Sequence, residues 1–257
     1  MRNIMTIFGK EMRLIFSGPV AYVVLASFLL LTGFFFFDLF ANYSQILSYA
    51  SMYQNPAMLE QVNVNQMILT PLMHNISILL MLIVPILTAR LYAEEKSAGT
   101  DELLLTSPIR VSEIISGKLL AGLAFYLLLL MLTIHFPAVL FKYANPDLGT
   151  ALSGYLGLFL MGAAFISFGL FVSTLTDSQV VAAISSFALL LIFWILGWLA
   201  ESQSGLVGEV LGYLSMTQHF EHFGEGLISV VDLVYYLSFI ALFWFLATRA
   251  VESTRWR

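Results

Sequence analysis

Four polar residues in the C-terminal third of the chain have the types and spacing of a small metal site. His219, Glu221, His222 and Glu225 lie in the segment QHFEHFGEG, and residues three apart share one face of a helix. Imidazoles and carboxylates are ligands that zinc accepts. The same pattern also suits polar side chains at a membrane interface, on a lid over a bundle of helices. We favour the lid, and we expect no metal here.

Other chemical motifs are incomplete. Gly117-Lys118 resembles the end of the phosphate-binding loop GxxxxGK[ST], but Leu119 follows it and Ser112 replaces its first glycine. We therefore expect that the chain does not hydrolyse nucleotide itself. No HExxH motif or Ser/His/Asp set points to an intramembrane enzyme. The absence of cysteine excludes disulfides and thiolate metal sites.

The composition identifies the class of protein. Of the 257 residues, 60% are hydrophobic and 11% are charged, against about 45–50% and about 25% in soluble domains. No soluble core of this size could bury that much apolar surface, so we predict an all-α integral membrane protein. The net charge of −5 argues against nucleic acid as a partner.

Six apolar runs are long enough to cross a bilayer as helices, which takes about 20 residues each. They are Val20–Phe40, Met67–Leu91, Leu119–Phe141, Thr150–Ser173, Val180–Leu199 and Asp232–Ala250.

The distribution of basic residues predicts the orientation in the membrane. Because cytoplasmic loops are rich in Lys and Arg, a cytoplasmic N-terminus places ten basic residues inside and one outside. Both termini are therefore predicted to be cytoplasmic. No carboxylate typical of an ion-coupled transporter is evident near the middle of a span.

An amphipathic helix is predicted before the first span. At 100° per residue, six apolar residues share one arc and four polar residues share the opposite arc. The apolar set is Ile4, Met5, Phe8, Met12, Ile15 and Phe16, and the polar set is Arg2, Thr6, Lys10 and Arg13. Such a helix lies along the inner leaflet, and Ser17-Gly18-Pro19 ends it. The alternative is that this segment is only the polar start of a long first span.

The loop between spans 2 and 3 concentrates charge. Between Arg90 and Arg110, seven of 21 residues are charged. Gly99 is placed to end the helix of span 2, and Thr100 can cap a new short helix. Asp101 and Glu102 fall in its first turn, where the helix dipole favours anions. Ser107-Pro108 is predicted to open the next helix, with proline at its first position.

The short helix of about seven residues needs a binding surface. An isolated helix of this length is unstable in water. Leu103, Leu104 and Leu105 together cover about 200° of its surface, which is too wide for a single packed stripe. A second apolar contact, in a groove of a soluble cytoplasmic partner, is the simplest explanation. A loop packed only on its own chain is the alternative.

Two further segments indicate architecture. Residues 201–229 contain short apolar blocks broken by glycines, which predicts a re-entrant or interfacial segment of two short helices. Span 4 carries small residues at four-residue spacing, such as Ser153/Gly157 and Gly169/Ser173, which permits close helix approach. Packing within the chain is the favoured reason, and a dimer face is the alternative.

The pattern EEKSAGTDELLLTSPIRVSEIISGKLLA (residues 94–121) resembles the cytoplasmic signature of ABC-2 type permeases. These are membrane subunits of ATP-binding-cassette exporters. FGKEMRLIFSGPVAYVV resembles the family's elbow helix, and STLTDSQVVAA resembles its turn between spans 4 and 5. The pattern is similar in particular to the branch that holds the gliding-motility permease and the nitrous-oxide-reductase maturation permease. The outer LSMTQHFEHFGEGLISVVDLVYY resembles the gliding-motility permease of that branch.

The resemblance implies one transmembrane domain over residues 1–257, with an elbow helix (1–18), a coupling loop (92–118) and an outer segment (201–229). It implies a half-transporter in the bacterial inner membrane, paired with a second copy or a related permease. Each copy would dock a cytoplasmic ATPase that binds ATP and magnesium, so no cofactor belongs to this chain. Membrane lipid and a periplasmic or auxiliary membrane protein are further expected partners.

The resemblance also implies residue roles. The coupling set is Glu94, Glu95, Gly99, Thr100, Glu102, Leu103, Leu104 and Leu105, and the elbow contact is Lys10, Glu11 and Arg13. The outer gate is His219, Glu221, His222 and Glu225. All of these roles transmit force and none is catalytic. An energy-independent channel, or a scaffold that recruits a cytoplasmic protein, is the alternative function, and the sequence does not identify a cargo.

Overall fold

The computed structural model describes residues 2–52, 63–144, 146–203 and 205–254, and the regular structure in these ranges is helical. Eleven α-helices are described: α1 (Arg2–Ser17), α2 (Pro19–Met52), α3 (Thr70–Ser97), α4 (Asp101–Thr106), α5 (Val111–Thr133), α6 (His135–Tyr143), α7 (Leu148–Leu175), α8 (Gln179–Ser202), α9 (Leu206–Leu214), α10 (Met216–Gly224) and α11 (Val230–Thr254). A π-helical turn, Asn65–Leu69, leads directly into α3. The fold is therefore all-α, as predicted.

Six helical stretches are long and apolar enough to cross a membrane. They are Pro19–Met52, Asn65–Ser97, Val111–Tyr143, Leu148–Leu175, Gln179–Ser202 and Val230–Ser253. Each contains one predicted apolar run, so the six-span prediction is confirmed. The third stretch combines α5 and α6, which meet at Ile134. Pro137 has no N–H to continue the helical ladder at this point, and the Ile134 N–H bonds three residues back, to Met131.

The first span is much longer than predicted. The sequence placed its end at Phe40, but α2 continues to Met52 and has 34 residues, about 51 Å of helix. The extension is polar, and its serine hydroxyls donate to carbonyls three residues back, as Ser44 does to Ala41 and Ser48 to Gln45. Loss of hydrophobicity ends the membrane-compatible run but does not by itself end a helix.

Helix α7 lies at the centre of the bundle, because its small residues let the neighbouring helices approach it closely. A Cβ atom on Gly169 would lie 2.1 Å from Thr88 Oγ1 in α3, and one on Gly162 would lie 2.1 Å from Tyr126 Cζ in α5. Side chains larger than hydrogen would separate these helices. The favoured interpretation, packing within the chain, is confirmed.

Helix α1 ends at Ser17 and α2 begins at Pro19, as the Ser-Gly-Pro sequence predicted. However, α1 packs on α5 through a face that the apolar arc did not identify. Ile7 and Glu11 are buried, and Ile7 lies so close to Gly117 that a Cβ there would be 2.7 Å from Ile7 Cγ2. Met5, by contrast, is 66% exposed. One side of α1 therefore belongs to the protein core.

Candidate coupling surface, its buried ion network and the outer helices

The charged loop starts with a glycine turn that ends α3. Gly99 has φ 67°, in the left-handed region that favours glycine. Its N–H donates to the Lys96 carbonyl at 3.2 Å, and the Thr100 N–H donates to the Glu95 carbonyl at 2.9 Å. This pair of hydrogen bonds is the Schellman motif, which satisfies the last carbonyls of a helix. The structure confirms the predicted stop at Gly99.

Two details of the loop differ from the prediction. Thr100 does occupy the N-cap position of α4, but its hydroxyl donates to the Glu95 carbonyl at 3.2 Å instead of capping the new helix. The following helix begins at Val111 rather than near Pro108. The Arg110 N–H donates to Glu113 Oε2 at 3.2 Å, so a glutamate in the first turn supplies the cap.

Helix α4 has six residues and presents an exposed ridge. Glu102 lies in its first turn and is exposed, whereas Asp101 is 7% exposed and faces the chain. Leu104 is half-buried, and Leu103 and Leu105 are described by their backbone alone. Glu94, Gly99 and Thr100 are also exposed. Exposed residues therefore lie on both sides of the turn that joins α3 to α4.

Glu95 does not lie on this surface. It is 7% exposed and binds Lys118 at the start of the third span, with Oε2 and Nζ 2.7 Å apart. Lys118 is 1% exposed and lies 2.8 Å from Glu11 Oε1 of α1, and it also donates to the Leu91 carbonyl. Lys10 binds the other oxygen of Glu95. These four side chains join α1, α3 and α5. We call them the buried ion network because three of them are buried, whereas the Lys10 side chain is 46% exposed at its edge.

Its three buried members, Glu11, Glu95 and Lys118, depend on one another, because an uncompensated buried charge costs several kcal/mol. Burial of the Lys10 ammonium lowers its pKa, but the hydrogen bond and charge of Glu95, with the charge of Glu11, outweigh burial and leave that pKa raised. Lys10 therefore stays charged at neutral pH. Arg13, the third predicted elbow residue, is exposed and lies outside the network.

A second ion pair connects the loop to another part of the same end. Lys96 Nζ lies 2.7 Å from Asp177 Oδ1, which belongs to the turn between α7 and α8. Further along the same two helices, the Ser173 hydroxyl of α7 donates to the Ala89 carbonyl of α3 at 3.0 Å and accepts from the Ala93 N–H at 2.9 Å. Helices α3 and α7 are thus fastened together where the loop begins.

At the opposite end, the two predicted short helices are α9 and α10, and a buried aspartate organises them. Asp232, at the start of α11, is 2% exposed. Its Oδ1 lies 2.6 Å from His219 Nδ1 and its Oδ2 lies 2.9 Å from His222 Nδ1. His219 Nε2 lies 3.0 Å from the Tyr213 carbonyl. Because a carbonyl oxygen only accepts, Nε2 carries a hydrogen.

Helix α10 is also bonded to spans 2 and 4. The Thr70 hydroxyl donates to the Gly224 carbonyl at 2.8 Å, and the Ser153 hydroxyl donates to the Phe223 carbonyl at 2.6 Å. These carbonyls are among the last four of a helix, which have no partner inside it. Side chains of α3 and α7 thus satisfy the C-terminal end of α10.

Glu221 and Glu225 lie on or directly after the same short helix as the two histidines. Both glutamates are exposed, as is His222, whereas His219 is 6% exposed. The partial burial of the Glu221 carboxyl raises its pKa, and the charges of Glu201 and Glu225 add to this effect. Within the described residues no group of three potential ligands could hold a metal ion. The histidines instead take part in a hydrogen-bonded cluster around Asp232.

Sequence reasoning did not find the two residues that organise these sites, Lys118 and Asp232. Lys118 appeared only as part of an incomplete nucleotide-binding motif, and Asp232 only as the polar start of a span. A signal was present in both cases, because each is an isolated charge at the end of an apolar run. Their partners are distant in sequence or lie on another helix, so the spacing alone did not reveal the pairs.

The fold and both ends of the bundle define a multi-pass helical membrane protein. A comparison with protein-family profiles matches residues 5–205 to the family described as ABC-2 family transporter protein. The match covers more than half of the chain, and the chain belongs to this family of transporter membrane components. No curated protein matches the chain.

Proposed function

We propose that this chain is the permease subunit of an ABC-2 type exporter, which couples ATP hydrolysis by a separate cytoplasmic ATPase to work across the membrane. The observation that carries the proposal is the exposed surface of α4 beside Glu94, Gly99 and Thr100. A short helix on the protein surface, with exposed acidic residues in and before it, suits a groove on a soluble protein. ATP and magnesium belong to the ATPase.

Force entering at α4 has a direct route into the bundle. The Schellman turn joins α4 to α3, and the buried ion network joins α3 to α1 and α5. Glu95, Lys10 and Glu11 therefore act as positioning residues in this mechanism. They hold α1, α3 and α5 together. Glu95 and Glu11 are buried, so we do not expect them to contact the ATPase directly. Arg13, which is exposed on α1, is available for a direct second contact.

The second span carries this movement to the other end. Asn65–Ser97 is 33 residues of continuous helix, about 50 Å long. Its outer turn bonds to α10 through Thr70, and α7 bonds to the same helix through Ser153. The helices α9 and α10, with His219, Glu221, His222 and Glu225, form the outer gate in this proposal, which opens when α3 and α7 shift.

The proposed complex contains two permeases, identical or related, in the bacterial inner membrane with both termini cytoplasmic. The end of the bundle that contains α1 and α4 has an excess of Lys and Arg, which supports this orientation. A periplasmic or auxiliary membrane protein would meet the outer helices. The sequence likeness to the gliding-motility branch supports a system that transmits force as well as one that moves cargo.

A charge reversal on α4 tests the coupling. Glu102→Lys should lower the amount of ATPase that co-purifies with the chain by about tenfold, because it reverses an exposed charge at the centre of the surface. The matched control is Glu209→Lys, since Glu209 is also an exposed first-turn glutamate of a short helix, α9, at the other end.

The result separates the proposal from its alternatives. Equal recovery of the ATPase with both variants would exclude α4 as the docking helix. Recovery of an ATPase whose hydrolysis rate is indifferent to the permease would favour a scaffold. If neither wild type nor variants retain an ATPase, an energy-independent channel becomes the better explanation.

A further inference from the structure

A cavity of about 390 Å³ lies beside the buried ion network, between α1, α2, α3 and α5. This volume is within the range of small-molecule sites. Its lining includes Phe125 of α5 and apolar side chains of the other three helices, among them Leu14, Val20 and Ile86. These three are 43–50% exposed, so the cavity opens towards the surroundings of the bundle.

The cavity changes from apolar to charged along one face of α3. Ile86, Arg90 and Glu94 are spaced four residues apart and therefore lie above one another. Ile86 is 50% exposed, whereas Arg90 and Glu94 form an ion pair with 3.1 Å between Nε and Oε2. Lys10 faces this pair from α1. The change from apolar to charged side chains along this face matches a membrane amphiphile, with acyl chains beside Ile86 and a headgroup at Arg90.

The polar rim retains hydrogen-bonding capacity. Arg90 donates only through Nε within the described part of the chain, which leaves its two Nη groups for another acceptor. Its side chain is 35% exposed, and that of Glu94 is 49% exposed. A guanidinium with a free edge is a strong donor to phosphate, and a carboxylate accepts from an ammonium.

The balance of charge decides which headgroup fits. The rim and its direct ion partners contain three cations, Lys10, Arg90 and Lys118, and three anions, Glu11, Glu94 and Glu95. An anionic lipid would leave this balanced site with excess negative charge. A zwitterionic headgroup places one charge of each sign beside its opposite.

We propose that this cavity binds one phospholipid with an ethanolamine headgroup, from the leaflet in which α1 lies. The phosphate accepts hydrogen bonds from Arg90 and from Lys10, and the ammonium donates to Glu94. The acyl chains pack along Val20 and Ile86. A choline headgroup has the same charge but no N–H, so Glu94 discriminates between the two. This binding does not depend on which way the protein faces in the membrane.

The test measures lipid retained by the full chain, purified with its ATPase where one is present. Phosphatidylethanolamine, phosphatidylcholine and phosphatidylglycerol with identical acyl chains are added at equal concentration, and bound lipid is counted by native mass spectrometry. We expect about tenfold preference for the ethanolamine lipid, as one or two charge-assisted hydrogen bonds would give. Soluble phosphoethanolamine should not displace it, because the apolar wall contributes binding.

Three variants complete the experiment. Arg90→Gln should abolish most of the retention, and Glu94→Gln should lower ethanolamine binding to the choline level. Arg249→Gln is the control, since Arg249 also pairs with a glutamate of its own helix, Glu252 at 2.8 Å, but lies outside the cavity. Exposed pairs of this kind contribute little to stability, so each variant should fold.

Several results would overturn the proposal. Equal retention of the three lipids would mean that only acyl chains bind. Strongest retention of phosphatidylglycerol would contradict the charge balance. Identical behaviour of Arg90→Gln and Arg249→Gln would place the lipid elsewhere. Cross-linking of a second copy across Arg90 in the purified protein would show that a protein, not a lipid, fills the cavity.

Discussion

At the scale of single residues, Lys118 is a buried charge that connects three helices. It is 1% exposed and neutralises Glu11 and Glu95, which come from two other helices. Buried ion pairs do not always stabilise a fold relative to apolar residues, but breaking one leaves a buried charge without a partner. The network is therefore best regarded as a device that fixes how three helices meet.

Lys118→Met should lower the stability of the protein by about 3–5 kcal/mol, the cost of removing one partner of a buried pair. Thermal unfolding in detergent, with Lys142→Met as a control at an exposed lysine, would measure the difference. Adding Glu11→Gln and Glu95→Gln should recover most of the loss, because the stranded charges are then removed. A melting temperature for Lys118→Met equal to that of the control would contradict the role of the network.

At the scale of elements, the packing of α7 against its neighbours depends on the absence of side chains. The Tyr126 ring is fully buried, and its hydroxyl donates to the Leu158 carbonyl of α7. Gly162, one turn further along α7, lies under the same ring. The ring thus fills the space between α5 and α7, and neither partner can move without losing the hydrogen bond.

Gly162→Ala should therefore destabilise the protein by about 1–3 kcal/mol, as overpacking of a close-packed core does. In most helix positions a change from glycine to alanine stabilises the protein by up to about 1 kcal/mol. A loss of stability would therefore identify overpacking at this position. Gly9→Ala is the control, because a Cβ at Gly9 meets nothing within 4 Å. Thermal unfolding compares the two. A neutral Gly162→Ala would mean that α5 and α7 can separate at little cost.

At the scale of the whole molecule, the two ends of the bundle are connected by single long helices. Helix α3 carries the Schellman turn and α4 at one end and bonds to α10 at the other. Helix α7 bonds to α3 near the loop and to α10 at the opposite end of the bundle. A displacement imposed at α4 is expected to travel along these two helices, although Pro85 interrupts the backbone hydrogen bonds inside α3. It is then expected to shift their far ends relative to α10.

A cross-link between α3 and α10 tests this connection. The natural chain has no cysteine, so Thr70→Cys with Gly224→Cys introduces a defined pair. A Cβ at Gly224 would lie 3.5 Å from Thr70 Cγ2, close enough for a disulfide. Oxidation should preserve ATPase binding but reduce permease-dependent ATP hydrolysis several-fold, and reduction should restore it. The single-cysteine variants are controls.

The cross-link also has an informative negative result. Unchanged hydrolysis in the oxidised double variant would mean that α10 moves together with α3, or not at all, during turnover. The outer gate would then have to lie elsewhere, and only that part of the proposed function would be lost. Docking at α4 is tested separately by Glu102→Lys.

Local features were predictable from the sequence because they depend on residues close together in the chain. The six spans follow from runs of about 20 apolar residues, the end of α3 follows from Gly99, and the break between α1 and α2 follows from Gly18-Pro19. The errors were local as well. Helix α2 continues past its apolar run, and the start of α5 is set by the Glu113 cap rather than by Pro108.

The contacts between distant segments were decided only by the tertiary structure. Lys118 meets Glu11 across 107 positions, and Ser153 meets Phe223 across 70. Glu95 has the same residue type as exposed Glu94, and only helix packing makes it a buried partner of Lys118. Span length and caps are properties of one segment, whereas a buried charge is tolerated only where another helix supplies its counter-charge. The sequence by itself therefore determined a six-span membrane protein with a charged loop, and the packing of α1, α3, α5 and α7 decided which of those charges face solvent and which hold the bundle together.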